Sequence, residues 1–175
     1  MAKLTRPYNA MDVANHLVEK YMQQERPISN LLLLKILYYL QADFIRRGEG
    51  PLFSDTIEKW GYGPVIPTVY SYFKEYGAGG ISSASSYIEV NEDSTLNFID
   101  YKDRQLNSSD IDNIDSLSDE IYNSYRDKPF ALVEQTHREP MWKDFEEQIL
   151  GGKKHLKYDI EELQNYFREE RNWQW

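Results

Sequence analysis

The sequence predicts a mainly α-helical, compact domain with a small β-hairpin or short antiparallel sheet, and three observations lead there. Apolar residues recur at three- and four-residue steps through Met11, Ala14, Leu17, Val18, Tyr21 and Met22, and again through Ile111, Ile114, Leu117, Ile121 and Tyr125, which is the spacing of one helix face. Leu31–Arg47 is apolar on almost every side, so it belongs at the centre of the fold. Thr56–Trp60 is short, β-branched at two positions and bounded by turn residues, and Tyr87–Ile99 carries two apolar runs flanking a turn, the signals of strands.

Taken in order, Asn9 and Asp12 mark a first helix start and the helix runs to about Gln24, where Pro27 ends it. Ser29 caps the central helix, and Gly48 and Gly50-Pro51 stop it. Thr56–Trp60 is a brief strand, Gly61-Tyr62-Gly63-Pro64 a tight turn, and Pro67 opens a third helix that reaches Tyr76. Tyr87, Ile88 and Val90 face Leu96, Phe98 and Ile99 across Asn91-Glu92-Asp93-Ser94, a hairpin. Asp110 caps or opens the next helix, whose second face is acidic. A short helix spans Pro129 to about Gln135, and the last starts at Asp159, with Glu162 completing a capping box and Ile160, Leu163, Tyr166 and Phe167 turned inward. Neither a repeat nor a linker interrupts the chain, so one domain over residues 1–175 is expected.

Composition narrows the chemistry. Without cysteine, disulfides, thiolate zinc sites and a cysteine nucleophile are excluded, which fits a reducing cytoplasm. Met1–Asn9 lacks the apolar stretch of a secretory signal. Leu31–Ile45 is interrupted by Lys35, Gln41 and Asp43 and is too short to span a bilayer. The net charge is −9, which repels phosphate backbones and argues against a nucleic-acid partner. From Glu89 to Glu120 ten carboxylates stand against Lys102 and Arg104 alone, so one region holds −8 of the −9.

Catalytic patterns are sparse. His16 shares a helix face with Asp12, Glu19 and Lys20 and reads as a solvated histidine; His155 lies among lysines. His137 and Glu139 form a His-x-Glu spacing, but the cysteine pair of a zinc deaminase is missing. No Gly-x-Ser-x-Gly elbow presents a serine, and Gly61-Tyr62-Gly63 lacks the third glycine of a dinucleotide loop. No cofactor is implied.

Three segments together resemble the Panacea domain, the SocA-like antitoxin family that also includes phage-associated GepA proteins. Ile28–Ala42 holds a cap, then Leu34-Lys35-Ile36-Leu37-Tyr38-Tyr39 and Gln41, similar to that family's Leu-Lys-Leu-Leu-Tyr-Tyr core and glutamine. Trp60-Gly61-Tyr62-Gly63-Pro64-Val65, with Pro67 and Tyr70, is similar to its Trp-x-x-Gly-Pro-Val segment, and Thr136-His137-Arg138-Glu139-Pro140-Met141-Trp142 to its Thr-His-x-Glu and tryptophan segment. Leu34, where the family usually has glutamine, and Met141, inserted before the tryptophan, are the departures. The resemblance implies a prophage or toxin–antitoxin protein that neutralises a cognate toxin by direct contact, with no enzymatic activity. An adaptor or inhibitor acting on a host protease or defence system is the alternative partner reading, and a hydrolase using His137 and Glu139 the rival from another class.

Lys35, Tyr38, Tyr39, Gln41, Trp60, Gly63, Pro64, Tyr70, His137, Glu139 and Trp142 therefore read as fold-defining. Lys35, buried on an apolar helix, must snorkel or find a carboxylate, and Glu139 is the candidate. The acid at Glu89, Asp93, Asp110, Asp112, Asp115 and Asp119 would draw in a basic toxin. Trp173 and Trp175 either dock on the domain or are exposed to a partner; the sequence leaves both open.

Overall fold

The computed structural model describes residues 2–175. It is mainly helical with minor β structure. Asn9 caps α1 (Ala10–Gln23) by accepting from the Met11 amide, and Ser29 caps α2 (Asn30–Arg46) by accepting from Leu32. Each satisfies an amide that the first helical turn leaves without a partner.

Helix α2 is buried along nearly its whole length, Leu32 to Ile45 without a break. It is the axle of the molecule. Packed around it are α1, α3 (Pro67–Phe73), α4 (Ser108–Tyr125), α5 (Pro129–Arg138) and α8 (Ile160–Phe167). A helix enclosed on all sides must satisfy its polar side chains internally. Gln41 does so by donating to the Phe53 carbonyl at 3.0 Å and accepting from the Leu52 and Phe53 amides at 2.8 and 3.2 Å. Asp43 holds Arg46 and Arg47 at the helix end.

Two strands form where one was expected. β2 (Glu58–Trp60) turns at Gly61-Tyr62 and pairs antiparallel with β3 (Gly63–Val65), in the register Glu58↔Val65, Lys59↔Pro64 and Trp60↔Gly63. The Gly-Pro pair that reads as a turn is thus the start of a strand. Proline is tolerated because a two-stranded ribbon leaves one side of each strand unpaired. The second hairpin, β4 (Tyr87–Val90) with β5 (Leu96–Ile99), lies where the apolar alternation placed it. A parallel pair of two-residue strands, β1 (Ala2–Lys3) and β6 (Arg104–Gln105), joins the start of the chain to its middle.

The helices α6 (Pro140–Lys143) and α7 (Glu146–Leu150) follow α5, which itself runs three residues past its expected end to Arg138. Asp159 and Glu162 form the anticipated capping box of α8. Ile160 is nevertheless about half exposed, because the first turn of α8 stands at the rim of a cleft beside Pro7 and Pro51 rather than over the core. At α4 the cap is Asn107, not Asp110. No helix among the described residues is long and apolar enough to cross a membrane.

Replacing Gln41 with Leu would leave two amides and one carbonyl without partners. The urea midpoint should fall by the equivalent of about 2–4 kcal/mol, with a smaller loss for Gln41→Glu, which keeps the acceptor. Equal stability of Gln41→Leu and the parent would show that the 52–53 loop does not depend on this clamp.

Candidate functional site

The three motif segments converge on one buried cluster. Lys35 is fully buried, and its Nζ donates to the Pro64 carbonyl at 3.0 Å. Removed from water, the amine is pulled down to about 7, because burial penalises its charged form. Strand β3 comes close enough to offer that carbonyl only because residue 63 has no side chain. A Cβ on Gly63 would lie 2.5 Å from Thr136 Oγ1 and 3.3 Å from Lys35 Cε, and its φ of +89° is one that other residues rarely adopt. Thr136 Oγ1 is itself fixed, donating to the Val133 carbonyl at 2.7 Å.

Glu139 sits at the junction of α5 and α6, extended between the two helices. Its carboxylate accepts from the Tyr38 hydroxyl at 2.7 Å and from the Tyr39 hydroxyl at 2.8 Å. Burial pushes it up to about 8, against the pull of those two hydrogen bonds. Lys35 and Glu139 therefore do not pair as expected: each is held by neutral partners, a carbonyl for the cation and two phenols for the acid. The geometry explains this, since Lys35 extends toward β3 while the tyrosines three and four residues further on reach the α5–α6 junction.

Around this cluster the aromatic side chains lock the same segments together. Trp142 Nε1 donates to the Trp60 carbonyl at 2.8 Å, and the His137 ring stacks on Trp142 with centroids 3.7 Å apart. Desolvation holds that imidazole below its ordinary value. Trp60 meets Tyr70 edge-on at 5.1 Å and donates to Glu58 at 3.1 Å. A hydrolytic pair would need His137 and Glu139 to act on a common atom; here one ring lies flat on tryptophan and the other group is engaged by Tyr38 and Tyr39.

The acidic residues divide. Asp110 is only 5% exposed: it binds the Tyr8 hydroxyl and Arg6, anchoring the N-terminal segment to α4, so it is no part of an open surface. Asp115 holds His16 at 2.7 Å and Lys20 at 3.5 Å, and Asp119 holds Lys20 at 2.9 Å and Tyr21 at 3.1 Å. These contacts join α4 to α1, and they make His16 a half-buried hydrogen-bond partner rather than a solvated one. Asp12, expected on that solvated face, is buried against Tyr87 and Arg104. Asp112 and Asp93 face solvent, the latter accepting from the Thr95 amide in the hairpin turn, and Glu89 is partly covered. Trp173 and Trp175 are docked: Arg46 lies 4.2 Å over the first, and Tyr39 meets the second edge-on at 5.4 Å.

One surface was missed. In the β4–β5 hairpin Ile88 pairs with Phe98 and Val90 with Leu96, so all four share a face, and they are 51%, 70%, 67% and 69% exposed. The signal was in the sequence: with Tyr87 and Ile99 inward, strict alternation sends the other four apolar residues outward.

Residues 33–143, which include every member of the buried cluster, match the family described as Antitoxin SocA-like, Panacea domain. Among curated proteins the chain is 39% identical over 80 residues to the antitoxin SocA of Caulobacter vibrioides (strain NA1000 / CB15N). That match covers 44% of this chain and 43% of the relative, so the chain spans less than half of the length of the protein it matches. No solved structure matches.

Two outcomes test the cluster. Gly63→Ala should cost about 2–4 kcal/mol, and should cost measurably less in a Thr136→Ala background, where the closest clash is gone; equal costs in the two backgrounds would mean that the two segments are not in contact. The titrations work in opposite directions. Glu139, raised from 4.5 to about 8, keeps its proton in the folded chain after the unfolded chain has lost it, so its contribution to stability falls as pH rises from 4.5 toward 8. Lys35, lowered from 10.5 to about 7, loses its proton first in the folded chain, so its contribution rises with pH above 7. Urea midpoints measured across pH 5–9 should show the first trend vanish in Glu139→Gln and the second in Lys35→Met; profiles parallel to the parent would contradict the assignment.

Proposed function

Because the chain belongs to the SocA-like antitoxin, Panacea domain family, we propose that it is an antitoxin that holds a cognate toxin inactive by direct protein–protein binding. The observation that carries this reading is where the motif residues point. Lys35, Tyr38, Tyr39, Glu139 and Trp142 bond to one another's segments inside the protein. Their chemistry is used to fix a platform, and what meets another molecule is the outside of that platform.

Neutralisation of this kind requires only that a folded surface cover the toxin's working surface, with the fraction of toxin covered set by mass action. The acidic excess contributes at long range. Asp110, Asp115 and Asp119 are engaged internally, but the net charge of −9 remains, and it speeds encounter with a basic partner while repelling phosphate and anionic lipid. A toxin that acts inside the cell that makes it would place both partners in the cytoplasm.

Co-expression with the product of the adjacent reading frame tests the proposal. That product alone should arrest growth, this chain should restore it, and the two should copurify from the rescued cells. A harmless neighbour, or rescue without copurification, would reject direct neutralisation.

A further inference from the structure

We propose that the outward face of the β4–β5 hairpin is the surface on which the toxin docks, and that its occupant is an apolar patch of the toxin ringed by lysine or arginine. This rests on the antitoxin reading above and names the surface and the partner chemistry it requires.

The hairpin is anchored at its base. Its first residues are tied to α1: the Tyr87 hydroxyl donates to Asp12 at 2.9 Å, and the Asn15 side chain grips the Ser85 backbone, donating to its carbonyl at 2.8 Å and accepting from its amide at 2.9 Å. The Ile88 amide donates to the Tyr72 hydroxyl of α3 at 2.9 Å. Beyond that anchored base, Ile88, Val90, Leu96 and Phe98, paired across the two strands, form one block of exposed apolar surface rather than scattered exposed residues. Single exposed apolar side chains need no explanation, but a contiguous block on a held element marks an interaction site. Pairing of the four residues across the strands also lowers the entropy cost of ordering them on binding.

Charge decides the occupant. From Tyr87 to Asp100 the hairpin carries four carboxylates and no basic residue; Glu92 and Asp93 stand exposed in the turn at the end of the face, while Glu89 lies on the Tyr87 side and Asp100 is engaged by Ser86 and the Lys102 amide. A second copy of this chain would bring the same acidic turn and the same negative net charge against themselves, and nucleic acid or an anionic membrane would add more of the same sign. An apolar patch with a cationic border satisfies both the apolar strands and the acidic turn at their end. The exposed pair Tyr62 and Phe130 meets edge-on with centroids 5.8 Å apart; it is smaller, and it serves as the control surface.

The test uses the full chain co-expressed with the product of the adjacent reading frame, and the purified complex. Val90→Thr/Phe98→Thr keeps strand-compatible residues at solvent-facing positions, so its thermal midpoint should stay within a few degrees of the parent. It should lose growth rescue, and its affinity should fall roughly tenfold or more. Tyr62→Ser/Phe130→Ser should rescue as the parent does. Should the threonine variant fail to fold, Glu92→Lys, at the exposed hairpin turn, replaces it: association should slow and lose part of its salt dependence. If the parent rescues and the hairpin variants rescue equally well with unchanged affinity, the docking assignment is wrong while the antitoxin reading stands. If the threonine variant instead converts a dimer of this chain to monomer without affecting rescue, the face is a self-interface and the assignment is again wrong. If the parent itself does not rescue, the antitoxin reading fails and carries the docking assignment down with it.

Discussion

The fold depends on a buried amine meeting a backbone carbonyl. Lys35 stands in the middle of a helix enclosed on every side, and the Pro64 carbonyl gives its Nζ a hydrogen bond. That carbonyl reaches it because Gly63 lets the strand lie against Thr136 with no side chain between. An uncompensated charge in such a place would cost several kcal/mol, so the amine, the glycine and the helix carrying Thr136 constrain one another. Glu139 repeats the arrangement one turn along α2, with Tyr38 and Tyr39 in place of the carbonyl. Central helix, β2–β3 ribbon and α5–α6 junction are thereby fastened at two adjoining points.

The division between inside and outside follows. Residues that would attract attention as chemistry, a lysine with a lowered proton affinity and a glutamate with a raised one, are perturbed by burial within a structural cluster. Perturbed groups often mark functional sites, but structural networks perturb them too. The histidine of the same segment lies stacked on Trp142. Shape and charge of the surface are then left to choose a partner, and a rigid interior lets that surface be presented without rearrangement.

Much of this was legible in the residues. Asn9, Ser29 and Asp159 announce their helices because a side-chain oxygen at the cap has one local task, and the apolar periodicity of α1 and α4 and the all-round apolar character of α2 report the core directly. What could not be read depends on distant partners. Lys35 demanded a neighbour, and charge alone nominated Glu139, whereas side-chain reach selects Pro64. Asp110 looked like a cap because it lies close to the start of α4; the Asn107 side chain takes that task, which frees Asp110 to bind Tyr8 and Arg6, about a hundred residues away in sequence. Gly63-Pro64 reads as a turn locally and becomes a strand only by pairing with Trp60 and Lys59. The hairpin's outward face was written in its alternation, yet the charges around it drew the reading toward acid instead of toward the apolar centre.

Native-state hydrogen exchange in low urea asks most directly whether those three segments form one unit. If they do, the slow amides of α2, the paired amides of the β2–β3 ribbon and those of α5 should exchange with one free energy and one urea dependence, equal to those of global unfolding. Exchange of the ribbon through a separate, low-energy opening with little urea dependence would mean that the carbonyl does not hold the lysine, and the account would fail.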